Sequence, residues 1–135
     1  MAVLLDTHIL LSNLGLSDIV LPLSIRELLN QKTRVCVSVA TLWEFAIKHR
    51  LGKIGLSISL NEMPNVLGRM DIQLLPVEAA HVLADIGPEP GNKDPFDRLL
   101  LGVCAAENLK LVTIDRVLTN HPLAWREALT TKEVS

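Results

Sequence analysis

The chain has 135 residues, a length typical of one domain with one core; its hydrophobic fraction is 49%, its mean hydropathy +0.34 and its aromatic fraction only 3%. This composition excludes a disordered chain, and charged residues interrupt every long apolar run, so no membrane-spanning helix is expected. The first residues lack the basic start of a secretory signal, and we therefore expect one cytoplasmic domain over residues 1–135. A net charge of −2 argues against broad electrostatic binding of nucleic acid but leaves room for a local basic patch.

Short apolar runs alternate with longer helix-like stretches, which is typical of βαβ units that feed a parallel sheet. Four runs rich in Val, Leu and Ile are predicted as buried strands: Ala2–Leu5, 34–37, Ile72–Leu75 and 110–114. Cys36 and Cys104 lie among apolar residues, which favours reduced thiols in the core over a disulfide or a zinc site. The pattern as a whole predicts an α/β sandwich.

Capping residues predict where the helices begin, because Ser, Asp and Glu side chains bond with the first free N–H groups of a helix. On these signals helices are expected from Ser24, from Ser38 to about Leu51, over residues 60–69 behind Ser59 and Glu62, over residues 78–86, and from Asp94 to about Asn108. The stretch 87–92 is rich in Gly and Pro, which excludes regular structure there.

Four acids from distant parts of the chain are expected at one edge of the sheet. Asp6 and Asp115 directly follow the first and last predicted strands, and ligands of open parallel sheets bind beyond the carboxyl ends of the strands. Glu44 and Asp97 lie near the starts of helices that open onto the same edge. The four carboxylates are therefore expected to converge.

Each acid also has a purely structural explanation. Asp6 and Asp115 are common turn formers, and acids such as Asp94 and Asp97 favour the positive end of a helix macrodipole. Asp97, however, shares a helical stripe with Leu100 in a helix that is apolar almost all round, so its carboxylate should face inward and need a cation or several donors.

Glu44 precedes Lys48 by four residues, the favourable order for a helical ion pair, but it also borders an apolar helix face. Clustered carboxylates repel one another and demand protons or a cation, and oxygen-only ligands suit Mg²⁺ or Mn²⁺. Such a site favours phosphoryl chemistry. Thr7 and Thr113 stand beside two of the acids and could orient a carboxylate or a water, although threonines near strand ends are more often structural.

Five segments carry a family pattern: Leu-Leu-Asp-Thr-His at 4–8, Ser-Val-Ala-Thr-Leu-Trp-Glu-Phe-Ala-Ile-Lys at 38–48, Leu-Gly-Lys-Ile at 51–54, Asp-Pro-Phe-Asp-Arg-Leu-Leu at 94–100 and Leu-Val-Thr-Ile-Asp at 111–115. In order and spacing they resemble the PIN-domain ribonucleases, most of all the VapC-type toxins of prokaryotic toxin-antitoxin pairs. The resemblance implies a three-layer α/β/α sandwich with a short central parallel sheet.

The resemblance also implies a function and a set of roles. Mg²⁺ or Mn²⁺ is held in that family by acids matching Asp6, Glu44, Asp97 and Asp115, and the enzyme cuts single-stranded or looped RNA. Asp94 matches an auxiliary acid or helix cap. The family further implies an antitoxin protein whose tail covers the site, and a homodimer.

Two positions depart from the family pattern, and one stretch has no clear match. Asn92 stands where relatives often have a histidine, which concerns a contact behind the site or with RNA, and Leu118 stands where they often have a phenylalanine. Residues 121–135, with Trp125, have no clear counterpart.

Basic residues near the acids are candidates for contact with RNA phosphate. Arg98, Arg116 and Lys48 are the nearest, although solvated or ion-paired side chains are the more common outcome. Two other functions compete with the ribonuclease. One is a non-catalytic domain of the same fold that binds a basic partner, and the other is a phosphoacceptor of the receiver type. The receiver is less favoured because Asp6 is a single acid rather than part of a pair, and Lys110 precedes its strand instead of following it.

Overall fold

The computed structural model describes residues 1–127. Its sheet has four parallel strands in the order β3-β2-β1-β4: β1 Ala2–Leu5, β2 Arg34–Ser38, β3 Ile72–Leu75 and β4 Lys110–Val112. The prediction of an α/β fold with a parallel sheet is confirmed. Strand β4 ends two residues earlier than predicted because the Thr113 hydroxyl accepts a hydrogen bond from the Asp115 N–H, at 3.1 Å, and turns the chain.

In residues 1–127 the chain also forms seven α-helices and one 3₁₀ turn: α1 Thr7–Asn13, α2 Leu23–Leu29, α3 Val39–Arg50, the 3₁₀ turn Leu60–Glu62, α4 Met63–Arg69, α5 Ala79–Leu83, α6 Pro95–Glu107 and α7 Arg116–Thr119. Two predicted caps are confirmed: Ser38 accepts from the Ala40 N–H, and Asp94 accepts from the Phe96 and Asp97 N–H groups. Asn108 ends α6 with a left-handed backbone, as helix C-termini often require.

Three of the predicted helix starts or lengths are wrong. Helix α2 begins one residue before Ser24, and Pro22 occupies the cap position, because its fixed φ of −53° leads directly into a helix. Ser59 makes no capping hydrogen bond, so a 3₁₀ turn precedes α4. Helix α5 ends at Leu83 because the next residue, Ala84, is extended and gives its carbonyl to Arg98 instead of to the helix.

Alternate residues of each strand enter two separate cores, one on each face of the sheet. The first core takes Val3, Leu5, Val37 and Val112, with helices α1 to α4 packed over them; the second takes Leu4, Cys36, Leu75 and Leu111 under α6 and α7. Helix α5 packs on α6. The arrangement is the expected three-layer α/β/α sandwich.

The interior and the chain end complete the fold. Cys36 and Cys104 are both buried and unbridged, as predicted, and burial raises the pKa of the Cys104 thiol to about 12.

Beyond α7 the chain runs beside β4, where the backbone of Leu111 forms hydrogen bonds with the backbones of Leu123 and Trp125, each 2.8 Å long. Residues 128–135 of the unmatched C-terminal stretch lie outside the described range. Among residues 1–127 no helix is both long and apolar enough to cross a bilayer.

The strand order places a crevice between β1 and β4. The chain moves outward from β1 to β2 and β3, and then returns to place β4 on the other side of β1. At such a reversal the connections on the carboxyl side of the sheet diverge and leave a crevice for ligands. Asp6 follows β1 and residues 113–115 follow β4, so both lie at this crevice.

Candidate metal centre

The acids singled out in the sequence surround one small cleft at this edge of the sheet. The cleft has a volume of about 70 Å³, and its walls are Asp6, Thr7, His8, Glu44, Lys48, Asp94, Asp97 and Asp115. The four predicted metal ligands therefore line one cleft, although they come from four separate parts of the chain. The auxiliary acid Asp94 and the hydroxyl of Thr7 are beside them.

Asp6 is held from two sides at the end of β1. Its Oδ1 accepts from the Ile9 N–H at 3.0 Å and so caps α1, while its Oδ2 accepts from the Thr113 hydroxyl. Only 4% of the residue is exposed. Burial raises the pKa of the Asp6 carboxyl, and the bonds from Thr113 and Ile9 oppose the rise.

Asp115 occupies the equivalent place after β4. Its Oδ1 accepts from the Val117 N–H at 2.8 Å and caps the short helix α7. The Thr113 hydroxyl accepts from the Asp115 backbone N–H and donates to Asp6, so one buried threonine links the two acids. A cap uses one carboxylate oxygen, which leaves the second oxygen of Asp115 for the cleft.

Glu44 approaches from the second turn of α3. Its Oε1 accepts from the Thr7 hydroxyl and its Oε2 lies 3.4 Å from the Lys48 ammonium. The side chain of Glu44 is 14% exposed, and that of Lys48 29%. The predicted ion pair with Lys48 is thus present, and it sits inside the cleft rather than on a solvated helix face.

Asp94 and Asp97 divide two roles at the start of α6. Asp94 is the cap, with its Oδ1 2.8 Å from the Phe96 nitrogen and 3.3 Å from the Asp97 nitrogen. The Asp97 carboxylate caps nothing and instead accepts from the Asn92 amide at 2.7 Å. Asn92, the residue that departs from the family pattern, therefore positions Asp97.

The neighbouring acids of the cleft affect the pKa of Asp97. Its pKa is raised to about 6, first by burial and then by the negative charge of Asp94, with smaller contributions from Asp115 and Asp6, while the Asn92 bond opposes the rise. A carboxyl whose pKa is raised by neighbouring acids favours a proton or a nearby cation. The geometry thus gives the cleft the electrostatic character of a cation site.

The donor set fits a hard divalent cation in kind, since every charged oxygen of the cleft belongs to a carboxylate. In the positions they occupy, however, no three Asp, Glu, His or Cys side chains of residues 1–127 stand close enough together to hold an ion. Carboxylate oxygens of the cleft accept hydrogen bonds from Ile9, Thr113, Val117 and Asn92.

The three basic side chains that are predicted to contact RNA occupy different environments. Lys48 lines the cleft and Arg116 is exposed at the first turn of α7. Arg98 lies 3.5 Å from the Glu89 carboxylate and donates to the Ala84 carbonyl at 2.8 Å, so it ties the segment before α6 to that helix. Its contact with RNA stays a prediction.

Two features beside the cleft are not predicted from the sequence. The rings of Trp43 and Phe96 meet edge to face with their centroids 5.2 Å apart, and each is the neighbour in sequence of a cleft acid. His121 donates from Nε2 to the Pro88 carbonyl at 2.8 Å and holds the 87–93 loop. The scarcity of aromatic residues in this chain is the one sequence signal that could have directed attention to the pair.

The comparison with known families agrees with the geometry. The family model described as PIN domain matches residues 3–122, which include all four acids. No curated protein matches the chain. Members of this family are typically nucleases that use divalent metals and act on nucleic acid. The chain belongs to the PIN domain family.

Proposed function

We propose that this chain is a Mg²⁺- or Mn²⁺-dependent endoribonuclease that hydrolyses RNA phosphodiester bonds and acts as the toxin of a toxin-antitoxin pair. The observation that carries the proposal is the cleft in which Asp6, Glu44, Asp97 and Asp115 meet, with the pKa of Asp97 raised by burial and by its acidic neighbours. Family membership supports nuclease chemistry at the coarser level. The choice of RNA and of the toxin role comes from the sequence resemblance.

The four carboxylates would hold the metal, and a bound metal supplies charge neutralisation and polarisation of the phosphate. The chain's own residues arrange the site. Thr113 donates to Asp6, Thr7 to Glu44 and the Asn92 amide to Asp97, so neutral donors fix carboxylate orientation without adding charge.

Lys48 is the one lysine or arginine among the residues that line the described cleft. Its ammonium is paired with Glu44 at 3.4 Å, which lowers the local negative charge that an RNA phosphate must approach. We propose that Lys48 and the exposed Arg116 guide the phosphate to the cleft. Arg98 has a weaker case, because its Nη2 donates to Ala84, its Nε lies beside Glu89 and its Nη1 is buried.

The partners follow from the same resemblance. We propose an RNA substrate, an antitoxin protein whose tail covers the cleft, and a homodimer, with residues 1–135 acting as one domain in the cytoplasm. An acidic cleft calls for an antitoxin segment with a basic side chain, since Arg or Lys would satisfy the carboxylates in place of a metal.

A non-catalytic PIN domain that binds a basic partner is the second candidate, and one observation favours it. Asp6, Asp94 and Asp115 each cap a helix, so they have a structural role whether or not a metal binds. Both candidates predict a cleft that attracts cations, and only the nuclease predicts that RNA is cut.

The deciding experiment is cleavage of a mixed RNA pool by the purified chain with Mg²⁺ or Mn²⁺. We expect cleavage that excess EDTA abolishes, and its loss in Asp6→Asn, Glu44→Gln, Asp97→Asn and Asp115→Asn. Asp71→Asn is the matched control, because Asp71 is an exposed acid whose left-handed backbone suits asparagine. Full cleavage in EDTA would rule out the metal mechanism, and no cleavage under any condition would favour the non-catalytic domain.

A further inference from the structure

A groove separate from the acidic cleft lies along α3 and reaches the 3₁₀ turn before α4. It has a volume of about 320 Å³ and is lined by Val39, Trp43, Ala46, Arg50, Asn61 and other residues of the same elements. The groove and the cleft share helix α3: Trp43 faces the groove, and Glu44, the next residue, faces the cleft.

Trp43 is unusual for a residue of its size, because 59% of its surface is exposed. Phe96, which precedes Asp97, packs edge to face against it with an interplanar angle of 61°. This contact holds the indole in place from one side and leaves the remaining surface of the ring open. A fixed, open aromatic face is the element on which single-stranded nucleic acids stack their bases.

Two polar residues, Arg50 and Asn61, stand among the mostly apolar residues that line the groove. Arg50 lies in the last turn of α3 and lines the groove, whereas Lys48 of the same turn lines the acidic cleft. Asn61 is exposed and carries both a donor and an acceptor for a base edge. A groove with an aromatic floor, an arginine and an amide offers stacking, phosphate contact and a hydrogen bond to one nucleotide.

We propose that this groove binds the nucleotide next to the cut phosphodiester, with its base stacked on Trp43 and the backbone phosphate beyond it near Arg50. The inference rests on the proposed nuclease function and adds a residue that determines substrate preference. It requires an unstacked base, so the groove selects single strands or loops. Duplex RNA, whose bases are stacked on one another, gains nothing from Trp43.

The test is binding of a fluorescein-labelled single-stranded 12-nucleotide RNA, followed by anisotropy in Mn²⁺, to a chain that carries Asp97→Asn so that the RNA stays intact. Adding Trp43→Ala should weaken binding by about tenfold or more, as loss of one base–aromatic stack does. Trp43→Phe should restore most of the affinity. Leu83→Ala, at an apolar residue that is 80% exposed on α5, should leave it unchanged.

The same series on a duplex of the same sequence should show no dependence on Trp43. Equal affinity of the Trp43→Ala chain and its parent for the single strand would overturn the proposal. A change of molar mass in sedimentation on Trp43→Ala would also overturn it, because the ring would then be covered by a second copy of the chain.

The outcomes separate this inference from the nuclease. If the wild type cuts RNA in a metal-dependent way and Trp43→Ala cuts and binds as well as wild type, the nuclease stands and the groove proposal fails. If Trp43 governs single-strand binding and the wild type cuts nothing, the groove proposal stands and the nuclease fails.

Discussion

Three acids of the cleft each accept a hydrogen bond from one neutral side chain: Asp6 from Thr113, Glu44 from Thr7 and Asp97 from Asn92. The Thr113 contact is the most buried of the three, and the two residues are 107 positions apart in the chain. It joins the end of β4 to the end of β1. A hydroxyl in this position both orients a carboxylate and reduces the cost of burying it.

Replacing Thr113 by valine should therefore harm both stability and activity. The isosteric valine leaves Asp6 Oδ2 buried without its donor, which should cost about 1–3 kcal/mol of unfolding free energy, measured with urea. Loss of the orienting group should also reduce metal affinity or cleavage by about 10- to 100-fold. Thr113→Ser keeps the hydroxyl and should retain most of both properties. Equal loss in the serine and valine variants would mean that the hydroxyl is not the cause.

Asp97 predicts a pH dependence of stability in the metal-free chain. Its pKa is about 6 in the folded state against 3.8 ordinarily, so the folded chain holds this proton more tightly than the unfolded chain. The resulting stabilisation is complete below the ordinary pKa and is lost as the pH rises through the folded value. The Asp97→Asn chain has no carboxyl at this position, so its stability does not fall in this way as the pH rises. At neutral pH its unfolding free energy should exceed that of the parent by about 1–2 kcal/mol, once solvent screening is allowed for.

The measurement is the urea unfolding free energy of both chains in EDTA at several pH values. The advantage of Asp97→Asn should grow between the ordinary and folded pKa values and stay constant above them. A variant less stable than its parent at neutral pH would show that the Asp97 carboxylate serves the fold.

For single residues, the sequence predicts which acids come together but not which side chains donate hydrogen bonds to them. Asp6 and Asp115 follow hydrophobic strands, and that placement alone identifies the edge of the sheet. The bond from Thr7 to Glu44 joins segments 37 residues apart, so no local pattern predicts it, whereas Asn92 and Asp97 are only five residues apart. The capping role of Asp94 is local, and its motif does predict it.

Among the elements, α5 and α6 approach each other unusually closely. A Cβ placed on Gly102 would lie 2.1 Å from the backbone oxygen of His81, a distance that real side chains do not adopt. The His81 side chain is buried, and its Nδ1 accepts a hydrogen bond from the Glu78 N–H. Its Nε2 lies 3.1 Å from the carboxylate of Glu107 on α6, so the ring also connects α5 to α6.

We expect Gly102→Ala to destabilise the chain by about 1–3 kcal/mol, because the methyl group forces the two helices apart. Gly68→Ala is the matched control: Gly68 also lies in a helix, and a Cβ there meets nothing within 4 Å. That change should stabilise by about 0.5–1 kcal/mol, since alanine is the better helix residue. Urea unfolding of both variants checks the difference, and a Gly102→Ala chain as stable as the parent would mean that α5 moves away without cost.

The longer elements are predictable and the shortest helices are not. The four strands, and the helices capped by Ser38 and Asp94, combine a hydrophobic pattern with a capping residue. Helices α1 and α7 have seven and four residues, too few for a helical period to be visible, and each begins with an acid that is equally expected in a turn.

On the scale of the whole molecule, the strand order creates the cleft. Because β4 returns beside β1, residues 6 and 115 are brought to one edge, while α3 and α6 add Glu44 and Asp97 from opposite faces of the sheet. The chain's net charge is only −2, whereas the cleft brings five carboxylates together beside one lysine, which makes its local potential negative. A divalent ion relieves that potential only in the folded state.

An ion that binds the folded chain alone should raise its melting temperature. At a hundredfold excess over Kd the stabilisation is about 2.7 kcal/mol, which for a chain of this length corresponds to very roughly ten degrees. The increase should be smaller at low pH, where protons occupy Asp97 in competition with the ion.

Whether the four carboxylates act as one metal site is tested most directly by the melting temperature as a function of Mn²⁺ in the wild type, Asp97→Asn and the surface control Asp71→Asn. The wild type and the control should show the same increase. Asp97→Asn should begin from a higher metal-free melting temperature and respond much less to Mn²⁺. A lower metal-free melting temperature in Asp97→Asn, with the wild type's full response to Mn²⁺ retained, would contradict a metal site that includes Asp97.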